Sequence, residues 1–399
     1  MMKVLQVHNF YRIRGGECSV VHAEKALLES RSIKVVPYYR DSRDIDDWGF
    51  LSKTGMLLDI TYSRSVAADL ESVVRYERPD VAHIHNVFPL LTPSVYRTLK
   101  RCGVPVVQTV HNFRMLCPNG QFYVRGRICE TCQEKGFFAA IKKRCMQDSF
   151  LISTAYAAAI ARAWKNGIFP NDTDIYIALN NFFAKKLIQY GVDESRIRTL
   201  GNFVSGMREA VPEKGNYVLY LGRLSREKGL HTLLRAWESV DGVVLKIAGS
   251  GPLENEVASI AKRLGASKVQ MLGHVSGELK QNLIERALCM VVPSVWYENF
   301  PISVVEAMSC GTPVVASRIG GLPDMVKHEV SGLLFNSGDE EGLAMMINRV
   351  ITDREFMMNL ARNALNEARS NLQSQKHYEG LMDIYRQAMY VTSENLHLI

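Results

Sequence analysis

Short, wholly apolar runs rich in β-branched residues alternate with segments of helical period along almost the whole chain. This alternation constrains the fold more than any other feature. The runs lie at 3–7, 33–37, 81–84, 105–110 and 175–179 in the first half, and at 217–221, 243–247, 269–272, 288–292, 313–316 and 332–335 in the second. Helical periodicity fills the intervals, for example at 254–264 and 277–287. A strand that is apolar on both sides must be covered on both faces, as helices cover a parallel sheet. The pattern predicts an α/β fold of two doubly wound parallel sheets in series, facing one another across a cleft. Gly201, Gly206, Pro212 and Gly215 concentrate turn residues at the seam. Residues 1–205 are assigned to a first domain with a Cys-rich insertion at 117–145, residues 206–372 to a second, and 373–399 to a C-terminal helix crossing back to the first.

A length of 399 residues accommodates two such domains. With 47% hydrophobic and 22% charged residues, the composition excludes a disordered chain, a collagen-like fibre and a small disulfide scaffold. The net charge of +7 suits a phosphate-bearing ligand or an anionic membrane surface and gives no argument for nucleic acid. The first apolar run breaks at Gln6 and His8, so it does not read as a secretory signal. No stretch reaches the ~18 uninterrupted apolar residues of a membrane span. The expectation is a cytoplasmic protein, working in solution or at the inner face of the membrane.

Ligands of open parallel sheets bind beyond the carboxyl ends of the strands, beside helix N-termini. Three stretches occupy such positions. Gly15-Gly16-Glu17 opens a helix after the first strand, where paired glycines let backbone N–H groups approach an anion. Gly222-Arg223 through Glu227-Lys228-Gly229 follows the first strand of the second domain, so that Arg223 and Lys228 flank a strand-to-helix turn. Cations held there stabilise a departing diphosphate. The third stretch runs from Pro293 to Met308. It places Glu298 in a loop and Glu306 in the following helix with seven residues between them, and Glu306 interrupts an apolar stretch, as a cleft-facing charge would.

Together with Asp80-Val81-Ala82-His83-Ile84-His85, Gln108-Thr109-Val110-His111-Asn112, Gly249-Ser250-Gly251-Pro252 and Gly273-His274-Val275, these stretches resemble the retaining GT-B glycosyltransferases of glycosyltransferase family 4, in content and in order along nearly the whole chain. The resemblance implies an acceptor-side first domain and a nucleotide-sugar-binding second domain. It implies that Arg223 and Lys228 bind the donor diphosphate, assisted by the backbone of Asn299, Phe300 and Pro301. Glu306 would meet the ribose hydroxyls and Glu298 the sugar hydroxyls, with His111 beside the reacting carbon. Gly16 would line the cleft from the first domain, and His274 and Val275 would border the base. Family loops commonly read Glu-Gly-Phe-Gly where this chain has Glu298-Asn299-Phe300-Pro301, a variant that looks like a subset acting on polysaccharides or surface glycans. The implied partners are a UDP- or GDP-sugar and a glycan or lipid-linked acceptor, and no cofactor is implied for catalysis.

The insertion carries Cys117, Cys129, Cys132 and Cys145 as C-x11-C-x2-C-x12-C, a set able to close a structural zinc site. Unligated or disulfide-linked thiols and a redox or iron–sulfur role are the alternatives. Beside it, Phe137-Phe138 and Lys142-Lys143-Arg144 read equally as a membrane-facing patch or as a core helix with a solvated basic end. His83, His85 and His111 are expected as hydrogen-bonded residues at strand ends rather than as metal ligands. Asp44-Ile45-Asp46 and Asp172-Thr173-Asp174 match a metal–diphosphate triplet by composition alone, and the second reads as a turn into a strand. A nucleotide-sugar epimerase, a phosphorylase and a non-catalytic zinc-stapled module in a glycan assembly complex are the competing readings.

Overall fold

The structure, a computed structural model, describes residues 2–13 and 15–397. Met1, Arg14 and residues 398–399, which fall within the assigned domains, lie outside the described residues. The chain divides into two compact units. One comprises the residues up to Val124, Cys129–Leu200 and the residues from His377 onward; the other comprises Arg125–Ile128 and Gly201–Lys376.

The first unit is built on an all-parallel six-stranded sheet of β1 (Lys3–Phe10), β2 (Lys34–Asp41), β3 (Val81–Asn86), β4 (Val106–Val110), β5 (Ile175–Ala178) and β6 (Ile197–Thr199), in the order β2-β1-β3-β4-β5-β6. The second has β7 (Tyr217–Leu221), β8 (Val244–Ala248), β9 (Val269–Gly273), β10 (Cys289–Val292), β11 (Val314–Ser317) and β12 (Gly332–Phe335), in the order β9-β8-β7-β10-β11-β12. All its pairings are parallel as well. Each apolar run seen in the sequence is a strand. The exception runs the other way: β6, with Ile197 as its single apolar residue and no fully buried position, has no apolar run to announce it.

Both sheets are doubly wound, and each has one point where strand order reverses. That point falls between β1 and β3 in the first unit and between β7 and β10 in the second. Loops leaving the carboxyl ends of those strands diverge and leave a crevice for a ligand. The strands that form it are locked in the core. Val4, Leu5, Val7, Val81 and Ile84 are fully buried in the first sheet, and Val218, Leu219 and Met290 in the second. Each such side chain contributes about 1.5–3 kcal/mol relative to exposure.

Helix Ser374–His397 adds Leu381, Ile384, Tyr385 and Ala388 to the cluster of Val4, Val107 and Ile175 in the first unit. The insertion is more regular than its sequence suggests. It has two-residue strands at Tyr123–Val124 and Arg127–Ile128, and a helical turn at Thr131–Lys135 that buries Cys132. Among the described residues no helix is long and apolar enough to cross a membrane.

Candidate functional site

The crevice of the second unit gathers much of the chemistry singled out above. The β7 loop passes through a short 3-10 turn, Arg226–Lys228, into helix Leu230–Ala236, while the β10 loop runs to helix Ile302–Ser309. Val295 N–H donates to the Glu227 carbonyl at 2.9 Å, tying the two loops together. Gly229 makes this approach feasible. Its φ is +71°, and a Cβ there would lie 1.8 Å from the Pro293 carbonyl oxygen. Gly320 holds the other side, at φ +59° with its Cβ position 2.5 Å from the Glu298 carbonyl oxygen.

Lys228 and Glu298 meet in this frame. Lys228 Nζ donates to Glu298 Oε1 at 2.7 Å, and Ser294 Oγ donates to the same oxygen at 2.6 Å. The Lys228 ammonium also sits 4.9 Å from the Trp296 ring centroid. Burial alone would push the Glu298 carboxyl up. The adjacent Lys228 charge and the hydrogen bonds from Lys228 and Ser294 outweigh that and hold it below the usual carboxylate range. Arg223 pairs within its own turn, its guanidinium on Glu227, with Nε donating to Ser225 Oγ at 3.1 Å. Its side chain stays 46% exposed, so it can reorient toward an incoming anion.

Glu306 projects from helix Ile302–Ser309 and accepts from Lys280 Nζ at 2.5 Å. Its partner is thus Lys280, whereas Glu298 is held by Lys228 and Ser294. Pro301 occupies the N-cap of that helix and has no side chain to cap it. Val304 N–H donates back to the Pro301 carbonyl at 3.0 Å, so any anionic group here would meet the N–H groups of Ile302 and Ser303. Asn299 is buried, and Phe300 lies over Gly201. His274 is exposed after β9, whereas the Val275 side chain packs in the unit's apolar core.

Gly16 and His111 belong to the first unit. Gly16 is the first residue of helix Gly16–Ser30, whose N-cap, Gly15, offers no side-chain hydrogen bond. His111 follows β4 and lines a pocket with His85, Asn86, Gln108, Asn112 and Arg114. Its Nε2 is 2.9 Å from His85 Nδ1. Behind them His83 lies between Thr109 Oγ1 and the Tyr385 hydroxyl, at 2.8 Å from each. Sequence reasoning missed Glu24, whose Oε1 is 2.9 Å from His83 Nδ1 and 3.3 Å from His85 Nε2. Glu24, His83 and His85 are close enough together to hold a metal ion. The two rings lie 4.2 Å apart and tilted at 38°, and each already has hydrogen-bond partners within the cluster. A signal for Glu24 existed: it occupies the apolar face between Val21 and Leu28, as Glu306 does in its own helix.

The two aspartate triplets are occupied by ion pairs. Asp172 meets Arg97 at 2.5 Å, Asp174 meets Lys100 at 2.7 Å, and Asp46 meets Arg12 at 2.8 Å. In the insertion none of the four cysteines is in a disulfide. Burial and the proximity of Cys117, Cys145 and Cys129 push the Cys132 thiol up to about 12. Among the described residues no three of these sulfurs come within 4.8 Å of one another. Lys143 Nζ lies 3.0 Å from Cys129 Sγ.

Comparison with known proteins agrees with this arrangement. Residues 49–205 match the model of Glycosyltransferase Family 4, and residues 207–367 match that of Glycosyl transferases group 1. An uncharacterized glycosyltransferase of Methanocaldococcus jannaschii is 28% identical over 88% of this chain and 86% of its own. A D-inositol 3-phosphate glycosyltransferase of Thermobifida fusca is 30% identical over 54% of this chain and 56% of its own, so the chain spans about half the length of that relative. Among solved structures, HepE of Anabaena in complex with UDP and glucose superposes with a TM-score of 0.66 at 19% identity, covering 96% of this chain and 99% of that one. The pair of parallel-sheet units is the GT-B architecture.

Proposed function

Because the chain carries a Family 4 glycosyltransferase domain followed by a group 1 glycosyltransferase domain, we propose that it transfers a sugar from a nucleoside-diphosphate sugar to a glycan or lipid-linked glycan, with retention, in polysaccharide biosynthesis. The observation that carries this reading is the Lys228–Glu298 pair at the reversal of strand order in the second sheet. An ammonium and a carboxylate in contact at a crevice can serve two adjoining parts of one ligand, the phosphates and the sugar hydroxyls. Lys228 and Arg223 neutralise charge that grows on the diphosphate as its bond to the anomeric carbon breaks, and the uncapped helix after Pro301 adds N–H groups. Glu298 orients the sugar. Glu306 takes the ribose hydroxyls, exchanging its bond with Lys280 for bonds with the nucleotide.

No step requires Glu298 as a nucleophile. The departing phosphate oxygen receives the acceptor's proton on the face where the new bond forms, which keeps the anomeric configuration. HepE, which shares the fold, has been solved with UDP and with glucose, and this supports a nucleoside-diphosphate donor for the present chain. The deciding experiment incubates the protein with UDP- and GDP-sugars and glycan acceptors, follows nucleotide release, and reads the product's anomeric coupling by NMR. An inverted product, or release unaffected by Glu298→Ala, overturns the proposal.

Two accessory features belong to this reading. Phe138, Phe150 and Leu151 are 59%, 58% and 71% exposed, and Lys142 and Arg144 are exposed near them in sequence. They suit an anionic membrane bearing a lipid-linked acceptor. Lys143 is occupied by Cys129 and Thr131, so the flotation test with anionic liposomes changes Lys142 and Arg144 to Glu. The four insertion cysteines form no disulfide, and Cys117, Cys129 and Cys145 lie near enough to Cys132 to raise its thiol, so the set offers four soft donors to one structural zinc that would have to draw the sulfurs closer together. When bound, the metal would crosslink Cys117, Cys129, Cys132 and Cys145.

A further inference from the structure

Glu24 lies on the face of helix Gly16–Ser30 turned to the sheet and is 1% exposed. It is a carboxylate in the core, and its surroundings supply its hydrogen-bond donors. His83 Nδ1 is 2.9 Å and His85 Nε2 3.3 Å from Oε1, the Gln6 amide nitrogen is 3.4 Å from Oε1, and His377 Nε2 is 3.4 Å from Oε2. Gln6 is oriented by the Tyr39 hydroxyl on its Oε1, which leaves the two protons of its NH₂ facing three neighbours, the Val21 carbonyl at 3.3 Å, Glu24 Oε1 at 3.4 Å and His85 Nε2 at 3.4 Å; the carbonyl and the carboxylate are the stronger acceptors and take them. His83 is fixed by Thr109 and Tyr385. His85 is therefore the histidine of this cluster whose second nitrogen faces His111.

The His85 Nδ1 to His111 Nε2 contact, at 2.9 Å, needs one proton between two nitrogens. One ring donates and the other accepts. The choice is made at the far side of His85. An unprotonated Nε2 would place a lone pair 3.3 Å from a buried carboxylate oxygen, and the low dielectric magnifies that repulsion. A proton on His85 Nε2 removes it. His85 Nδ1 is then the acceptor, and His111 must donate from Nε2.

We propose that Glu24 acts through His85 as a positioning residue that fixes the tautomer of His111, with the proton on Nε2 and the lone pair on Nδ1. The role in transfer rests on the reading that places His111 beside the donor sugar. Burial drives both rings toward the neutral form, with His85 lowered to about 4 and His111 well below its ordinary value, so tautomer choice rather than charge is what remains to be set. A lone pair on Nδ1 accepts from a sugar hydroxyl and repels a carboxylate.

The test uses full-length protein labelled with ¹⁵N-histidine, with two-bond proton–nitrogen correlations at pH 7.5 and His111 assigned from a His111→Asn sample. Wild type is expected to show His111 protonated at Nε2 and bare at Nδ1. Glu24→Gln, whose amide can donate to His85 Nε2, is expected to reverse the pattern at both rings. A wild-type His111 protonated at Nδ1, or at both nitrogens, overturns the proposal without recourse to a variant. A folded Glu24→Gln protein with an unchanged His111 pattern overturns it as well. If the tautomers behave as expected but His111→Asn transfers sugar normally, the relay stands and the placement of His111 beside the sugar fails.

Discussion

Lys228 and Glu298 come from loops that follow adjacent strands of the second sheet, β7 and β10, and meet at 2.7 Å where the strand order reverses. Seventy residues separate them in the chain. The contact stands on a glycine that tolerates a carbonyl oxygen 1.8 Å from where its Cβ would be, and on Ser294, which shares the same carboxylate oxygen. The neutralised pair can be kept nearly buried without substrate and can be redistributed over a ligand when one arrives.

Removing one member of the pair should therefore separate binding from turnover. Glu298→Ala is expected to lower the transfer rate by at least about 100-fold, roughly 3 kcal/mol of barrier, while calorimetry finds nucleotide affinity within a few-fold of wild type. A variant with near-normal turnover would remove Glu298 from the sugar.

The converse truncation strands a buried carboxylate. Lys228→Ala should destabilise the second unit by about 3–5 kcal/mol, and the double variant Lys228→Ala/Glu298→Ala should recover part of that loss. Thermal melts of the four proteins give the coupling energy directly. Strict additivity would mean the 2.7 Å contact is energetically inert.

Glu17 makes stability fall with pH. Its carboxyl is raised to about 7, by burial first, against hydrogen bonds from Asn112 and Tyr11 and the charge of Arg114. A group raised in the folded state contributes stability that is complete below its unfolded value near 4.5 and is lost as pH climbs through 7. Glu17→Gln should match wild type at pH 4.5 and exceed it at pH 8 by on the order of 3 kcal/mol. Denaturant midpoints at the two pH values check this, and equal differences at both exclude it.

Chelation tests the insertion. Protein purified under reducing conditions should carry a single zinc per chain by elemental analysis. Stripping the metal, or changing Cys132 to Ser, should lower the melting temperature of the first unit by several degrees. A metal-free preparation with an unchanged melt would leave the four thiols without a metal.

Gly229→Ala places a methyl group in contact with the Pro293 carbonyl and forces an L residue to φ +71°. Backbone strain alone costs about 1–3 kcal/mol, and the clash adds to it. Donor affinity should fall together with stability, because the displaced loop carries Lys228.

The fold was legible because β-strands buried on both faces leave an unmistakable trace. Val218-Leu219-Tyr220-Leu221 and Met290-Val291-Val292 read as strands with no knowledge of their neighbours. Glu306 was legible for a related reason, as a charge inside an apolar stretch. Glu24 gives the same signal, but Lys25 beside it makes helix Gly16–Ser30 resemble any amphipathic helix. Ser294, Lys280 and Tyr385 were not legible. A serine, a lysine on a polar helix and a tyrosine in a long C-terminal helix acquire their roles only when strand order brings them to Glu298, Glu306 and His83. The β6 edge strand escaped because three residues with one apolar member carry no periodicity.

The return of the chain to the first unit has a consequence for biosynthesis. His377 reaches Glu24 across 353 residues and Tyr385 reaches His83 across 302, and both enter the first unit's core. On the ribosome, everything up to Leu200 must wait for the second unit to be made, roughly ten to forty seconds at about 5–20 residues per second. Through that interval the nascent first unit holds an ionisable Glu24 and an apolar stripe of Val4, Val107 and Ile175 without their covering helix. The second unit, continuous in sequence from Gly201 to Lys376 apart from four residues of the insertion, can complete itself first. Maturation then runs against the direction of synthesis, and a chain that stops before His377 lacks the helix residues that cover this part of the first unit's core.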